Sequence, residues 1–175
     1  MNLRHDAARG TWSDGPRRYV LLRPDSLMGA LRTLDTATRD IVFDALAMSL
    51  QRHGGDSLSA YAASVNGDPQ ALIAATVDAA CDFGWGRWTV REQGASLDVI
   101  VQHSPFAAGW LAAERAPQAK RDAAAPRVCA PIRGMLAALA ENLGDASPHV
   151  QELSCAAQGY AECHFRVTRV RATEP

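Results

Sequence analysis

Residues 152–167 read Glu152-Leu153-Ser154-Cys155-Ala156-Ala157-Gln158-Gly159-Tyr160-Ala161-Glu162-Cys163-His164-Phe165-Arg166-Val167. The spacing predicts two strands, Val150 to Cys155 and Ala161 to Val170, joined by a loop in which Gly159 takes the turn. A hairpin of this length brings the Cys155 and Cys163 sulfurs together. Cys163, Phe165 and Val167 alternate along one strand and so share its inward face. Glu152 stands three residues before Cys155, and on an ideal strand those two side chains point to opposite faces. The strand must bend or end between them if both serve one site.

Upstream, Ile132, Met135, Leu136, Leu139 and Leu143 recur at helical spacing, and Cys129 sits one turn earlier on the same stripe. Pro131 lacks a backbone donor, which places Cys129 in the first turn of that helix or just ahead of it. Thiolates are soft ligands that select zinc among the abundant divalent ions, and a carboxylate can complete a four-coordinate shell. The spacing by itself leaves a second reading equally open, in which these cysteines are small buried hydrophobes and Glu152 lies on the surface.

Further toward the N-terminus, Arg87 to Glu92 and Ser96 to His103 read as a hairpin around Gly94, with Leu97, Val99, Val101 and His103 on one face. Asp68 and Pro69 mark the start of a helix that runs to about Asp82 with Ile73, Val77 and Cys81 on its core stripe. Two earlier helices start at Pro24-Asp25 and at Asp35, the second ending at His53 with Gly54 and Gly55 as caps. A short helical stretch follows at Ser57 to Ser64. Arg17 to Arg23 reads as a short strand, residues 1–16 as a flexible tail, and Pro117 to Pro126 as an exposed loop. Helices first, then antiparallel strands with one long helix inserted, make an α+β chain with a single domain over residues 17–172.

A net charge of -1 over 175 residues sets up no field that would draw nucleic acid or an anionic membrane. The first residues lack the apolar run of a secretory signal, and no apolar stretch approaches the roughly 20 residues of a membrane span. A soluble cytoplasmic protein is expected, and in that reducing compartment clustered cysteines point to metal rather than disulfides. Gly-x-Ser-x-Gly, Gly-x-Gly-x-x-Gly after a strand, and Gly-x-x-x-x-Gly-Lys are all absent from the sequence, so no catalytic residue is assigned.

The Glu152 to Val167 run, together with Cys129 and Gly134, resembles the signature of the 4-vinyl reductase domain, in particular the zinc-containing sensor domain of phenol- and xylene-responsive bacterial activators. The resemblance spans roughly Asp68 to Val170. It implies an antiparallel sheet packed with helices, a ligand-binding fold shared by nitric-oxide signalling and Golgi-transport proteins, and a homodimer. It also implies a structural zinc held by Cys129, Glu152, Cys155 and Cys163. Beside the zinc it implies an apolar pocket, for which Phe83, Trp85, Trp88, Val99 and Val101 are candidates with His103, Phe106, Trp110, Met135 and Tyr160. The histidine that phenol sensors use has no counterpart at the end of the Asp68 helix or in Phe83 to Trp88. The expected function is a stand-alone sensor of a small hydrocarbon or aromatic molecule. The alternatives are a carrier or reductase-associated protein of bacteriochlorophyll (tetrapyrrole) synthesis and a dimeric scaffold.

Overall fold

A computed structural model describes residues 3–113 and 125–168. Most of the stretch expected as an exposed loop, Pro117 to Pro126, lies outside the described residues. Three short strands open the chain: β1 (Arg4–Asp6), β2 (Thr11–Asp14) and β3 (Arg17–Tyr19), paired antiparallel in that order. They occupy much of the stretch expected as a loose tail. Gly10 and Gly15, at φ 62° and 59°, make the two tight turns, and a ring stack of His5 on Trp12 at 4.7 Å ties β1 to β2. β1 is exposed along its whole length, so no burial pattern in the sequence marks it.

The helices α1 (Pro24–Arg32), α2 (Thr36–Ser64) and α3 (Pro69–Asp82) follow. Asp35 caps α2 by accepting from the Thr38 amide at 3.0 Å. α2 does not stop at Gly54-Gly55 but runs on through the stretch expected as a separate helix. Phe43, Ala47, Gly54 and Leu58 form one buried stripe along it. Gly54 is there for proximity: a Cβ on it would lie 3.0 Å from Met135 Cε. Asp68 caps α3 through the amides of Gln70 and Ala71, at 3.0 and 3.4 Å. Replacing Asp68 with alanine should cost about 1 kcal/mol, read from the urea midpoint at unchanged slope. The buried face of α3 carries Leu72, Thr76, Ala79 and Ala80, one residue round from the expected Ile73 and Val77 stripe. Cys81, expected in the core, is exposed.

The second sheet has the order β4-β5-β7-β6, antiparallel throughout, from β4 (Arg87–Gln93), β5 (Ser96–Gln102), β6 (His149–Ser154) and β7 (Cys163–Thr168). Leu97, Val99 and Val101 of β5 sit beside Cys163, Phe165 and Val167 of β7, all with no solvent exposure. On the opposite face, Arg166 donates to both oxygens of Asp98, at 2.9 and 3.2 Å, and holds that carboxyl below its ordinary pKa. α4 (Pro105–Ala112) is capped by Ser104, and α5 (Ala130–Asn142) is buried on almost every side. A helix apolar all round belongs in the interior. α5 packs against α2 and also touches β6 and β7. The arrangement is the expected α+β class, with antiparallel sheets packed against helices. No helix among the described residues is long and apolar enough to cross a membrane.

Candidate metal centre and ligand cavity

Cys129, Glu152, Cys155 and Cys163 converge, with one ligand atom from each all within 4.8 Å of one another. Three elements supply them. Cys129 is the N-cap residue of α5, Cys163 opens β7, and Glu152 and Cys155 come from β6 and the residue after it. The pairing of β6 with β7 slips between Glu152 and Ser154, so that Glu152 faces Phe165 and Ser154 faces His164. This bulge adds a residue to β6 and reverses the alternation, which turns Glu152 and Cys155 to the same side. A 3₁₀ turn, Ala156–Gln158, and Gly159 at φ 98° then carry the chain round to Cys163.

The three sulfurs lie 3.6, 3.9 and 3.9 Å apart. A bonded disulfide would put two of them about 2.05 Å apart. A tetrahedral ion with metal–sulfur distances of about 2.3 Å needs sulfurs about 3.8 Å apart, close to what is found. All four side chains are buried, and Oε1 of Glu152 has no hydrogen-bond partner while Oε2 accepts from the Cys129 amide at 3.3 Å. An orphaned carboxylate oxygen is costly in such surroundings unless a cation meets it. Burial pushes the Glu152 carboxyl up to about 9. Hydrogen bonds from Cys129 and Cys155 hold the Cys163 thiol down at about 4, and donating to Cys155 and Cys163 pushes the Cys129 thiol up. Without a cation the cluster therefore holds only part of its possible negative charge. A divalent ion would let all four groups ionise. The Ala156 amide donates to Cys163 Sγ at 3.3 Å, and the Ser104 hydroxyl lies within hydrogen-bond reach of Cys129 Sγ at 3.2 Å. The sequence does not single out Ser104 for this role, since its only signal there is a Ser-Pro helix start.

Beside this cluster lies a cavity of about 820 Å³ between the helices and the segment from β3 to Pro24. Phe83, Trp85, Phe106 and Met135 line it. Trp85 and Phe106 meet edge to face, 5.4 Å between ring centres at 85°. Pro131, two residues beyond Cys129, joins the cavity wall to the metal cluster. The other sequence candidates are placed elsewhere. Trp88, Val99 and Val101 are core residues, and Trp110 is buried against Phe43, Arg32 and Arg39. His103 falls one residue past β5, at φ 58°, and is exposed, because the strand ends before its alternation reaches that position. Tyr160 is 55% exposed on the hairpin loop. The walls supplied by Leu27, Leu46, Leu50 and Leu58 are legible in the sequence only as apolar helix faces, a pattern that core and cavity share.

Residues 97–169 match the V4R domain family model. No curated protein matches the chain. Among solved structures, the chain is similar to the phenol-responsive sensory domain of the transcription activator PoxR with phenol, at 18% identity and a TM-score of 0.72. That likeness covers 95% of this chain and 84% of the other. A trafficking protein particle complex subunit 3 from Naegleria fowleri, covalently bound to palmitic acid, is similar at 12% identity and a TM-score of 0.56. Here the cover is 87% of this chain and 98% of that one. At these identities the likeness is one of fold.

Proposed function

We propose that this chain, whose residues 97–169 match the V4R domain, is a small-molecule sensor module with a structural zinc ion and a ligand site in the cavity beside it. The observation that carries the reading is the cavity itself. It is large, mostly apolar, and walled by the same α5 whose first turn presents Cys129 to the metal cluster. Apolar clefts of several hundred cubic ångströms are what small-molecule sites use. The fold likeness to a phenol-responsive sensory domain supports the same assignment.

Cys129, Glu152, Cys155 and Cys163 would hold the zinc. Three thiolates and a carboxylate fill a tetrahedral shell, and a closed shell is the mark of a structural ion, since a catalytic zinc keeps a position for water. The ion would join α5 to the β6–β7 hairpin. Because Pro131 lies both near that junction and on the cavity wall, the metal would fix one side of the ligand site.

The test is thermal unfolding of the purified zinc-loaded protein with added apolar ligands, beginning with phenol. A ligand present at 100 times its Kd should stabilise by about 2.7 kcal/mol, a rise of roughly 5–10 °C in melting temperature for a chain of this size. No shift with any apolar ligand, monocyclic or larger, would sink the assignment. Reductase turnover with a nicotinamide or flavin cofactor would replace it with an enzyme.

A further inference from the structure

We infer that Ser104 is a positioning residue that couples the metal centre to the cavity: its hydroxyl donates to the metal-bound sulfur of Cys129, and that bond sets the start of α4 and the Phe106 wall. The inference rests on the proposed zinc site and ligand cavity. Ser104 is 3% exposed, with Oγ 3.2 Å from Cys129 Sγ, and it accepts from the Ala107 amide at 3.4 Å. Ser104 is the N-cap of α4 and Cys129 the N-cap of α5, so one buried contact ties the starts of two helices.

The direction of this bond depends on the metal. A thiol and a hydroxyl can each donate to the other. A sulfur bound to a cation carries no proton and can only accept. With zinc in place the Ser104 proton is committed to Cys129, and its oxygen is left to accept from Ala107. The two bonds then support each other, since donating to the sulfur makes the oxygen a better acceptor. A donor of this kind also orients the metal ligand and spreads its charge. The Ala156 amide does the same for Cys163 at 3.3 Å, but from within the metal hairpin. Ser104 reaches the cluster from a different element.

That element forms part of the cavity wall. Pro105 and Phe106, the first two residues of α4, line the cavity, with Phe106 edge to face on Trp85 at 5.4 Å. Farther along, a Cβ on Gly109 would lie 2.5 Å from the carbonyl oxygen of Pro24, which lines the cavity as well. α4 also packs against the 3₁₀ turn Ala156–Gln158 of the metal hairpin. Closely packed between α1 and that turn, α4 cannot shift at its start without moving the cavity wall.

The test compares the zinc-loaded full chain with Ser104→Gly and Ser104→Thr. Glycine removes the hydroxyl yet is well tolerated at a helix N-cap, and threonine keeps the hydroxyl. In the cobalt(II)-substituted protein, Ser104→Gly should move the thiolate-to-cobalt absorption band to longer wavelength, because the sulfur has lost a hydrogen bond. In competition with a chelator it should hold zinc about tenfold more weakly. In fluorine NMR spectra of protein labelled with 4-fluorophenylalanine, the Phe106 signal, assigned through Phe106→Leu, should shift. Ser104→Thr should restore all three, and Ser104→Ala is read in the same way if the glycine variant does not fold. An unmoved cobalt band and an unchanged zinc affinity overturn the inference and leave the sensor reading standing. Altered metal readouts with an unmoved Phe106 signal overturn the coupling to the cavity. A wild-type chain that binds neither zinc nor cobalt overturns the metal site and the inference together. All three responses in a chain that no apolar ligand stabilises sink the sensor reading alone and leave the coupling intact.

Discussion

Replacing Cys155 or Cys163 with alanine is expected to abolish metal retention and to cost the fold at least 3–5 kcal/mol, enough to leave much of the chain unfolded at 37 °C. The loss comes from several sources at once. Without one thiolate only three ligands remain to hold the ion, and once it leaves, the remaining sulfurs and Glu152 stay buried with no countercharge. The hairpin then loses its tie to the first turn of α5, because Cys129 comes from that helix and the other ligands from the β6–β7 connection. If the cysteines were only small buried hydrophobes, each change would cost about 1 kcal/mol, the usual size for a point substitution. Native mass spectrometry of protein purified without added metal reads the ion, and urea unfolding reads the stability. A metal-free wild-type mass, with both variants as stable as wild type, would remove zinc from the account. Chelator treatment gives an independent check, since a structural ion should be lost only with unfolding.

Gly134→Ala should destabilise by about 2–3 kcal/mol and lower the melting temperature by roughly 5–10 °C. In an exposed helix the same change stabilises by about 1 kcal/mol, so the expected sign is reversed. The cause is the crossing of α2 and α5, the most extensive helix contact among the described residues. A Cβ on Gly134 would lie 2.2 Å from the carbonyl oxygen of Ala47 and 2.9 Å from its carbonyl carbon. These are backbone atoms of a long helix and cannot step aside like a side chain. Relief requires the helices to part, which loosens the contact of Gly54 with Met135 and with it one wall of the cavity. Circular dichroism melts of the metal-loaded variant measure the effect, and unchanged stability would show that the two helices cross with room for a methyl group.

Elements that carry both a period and a boundary residue are legible from residue order alone. Asp68-Pro69 marks the start of α3, and the alternation of Cys163, Phe165 and Val167 marks the inward face of β7. The order of helices and strands points to the α+β class. Elements marked by boundary residues alone mislead. Gly54-Gly55 reads locally as a helix end, but its lack of side chains serves the approach of Met135, a contact made across about 80 residues of sequence. His103 continues the alternation of β5, yet the strand stops at Gln102.

The sequence by itself named the four residues of the candidate metal cluster, because ligand chemistry is written in residue type and because the Glu152 to Val167 run resembles a known signature. It also posed the difficulty that Glu152 and Cys155 should face opposite ways. Tertiary structure answered that through the bulge in β6, which forms only when β7 pairs beside it and the register slips. The cavity belongs wholly to the tertiary level. Apolar side chains look alike in sequence whether they fill a core or surround a space, and the difference lies in whether the helices that carry them close on one another.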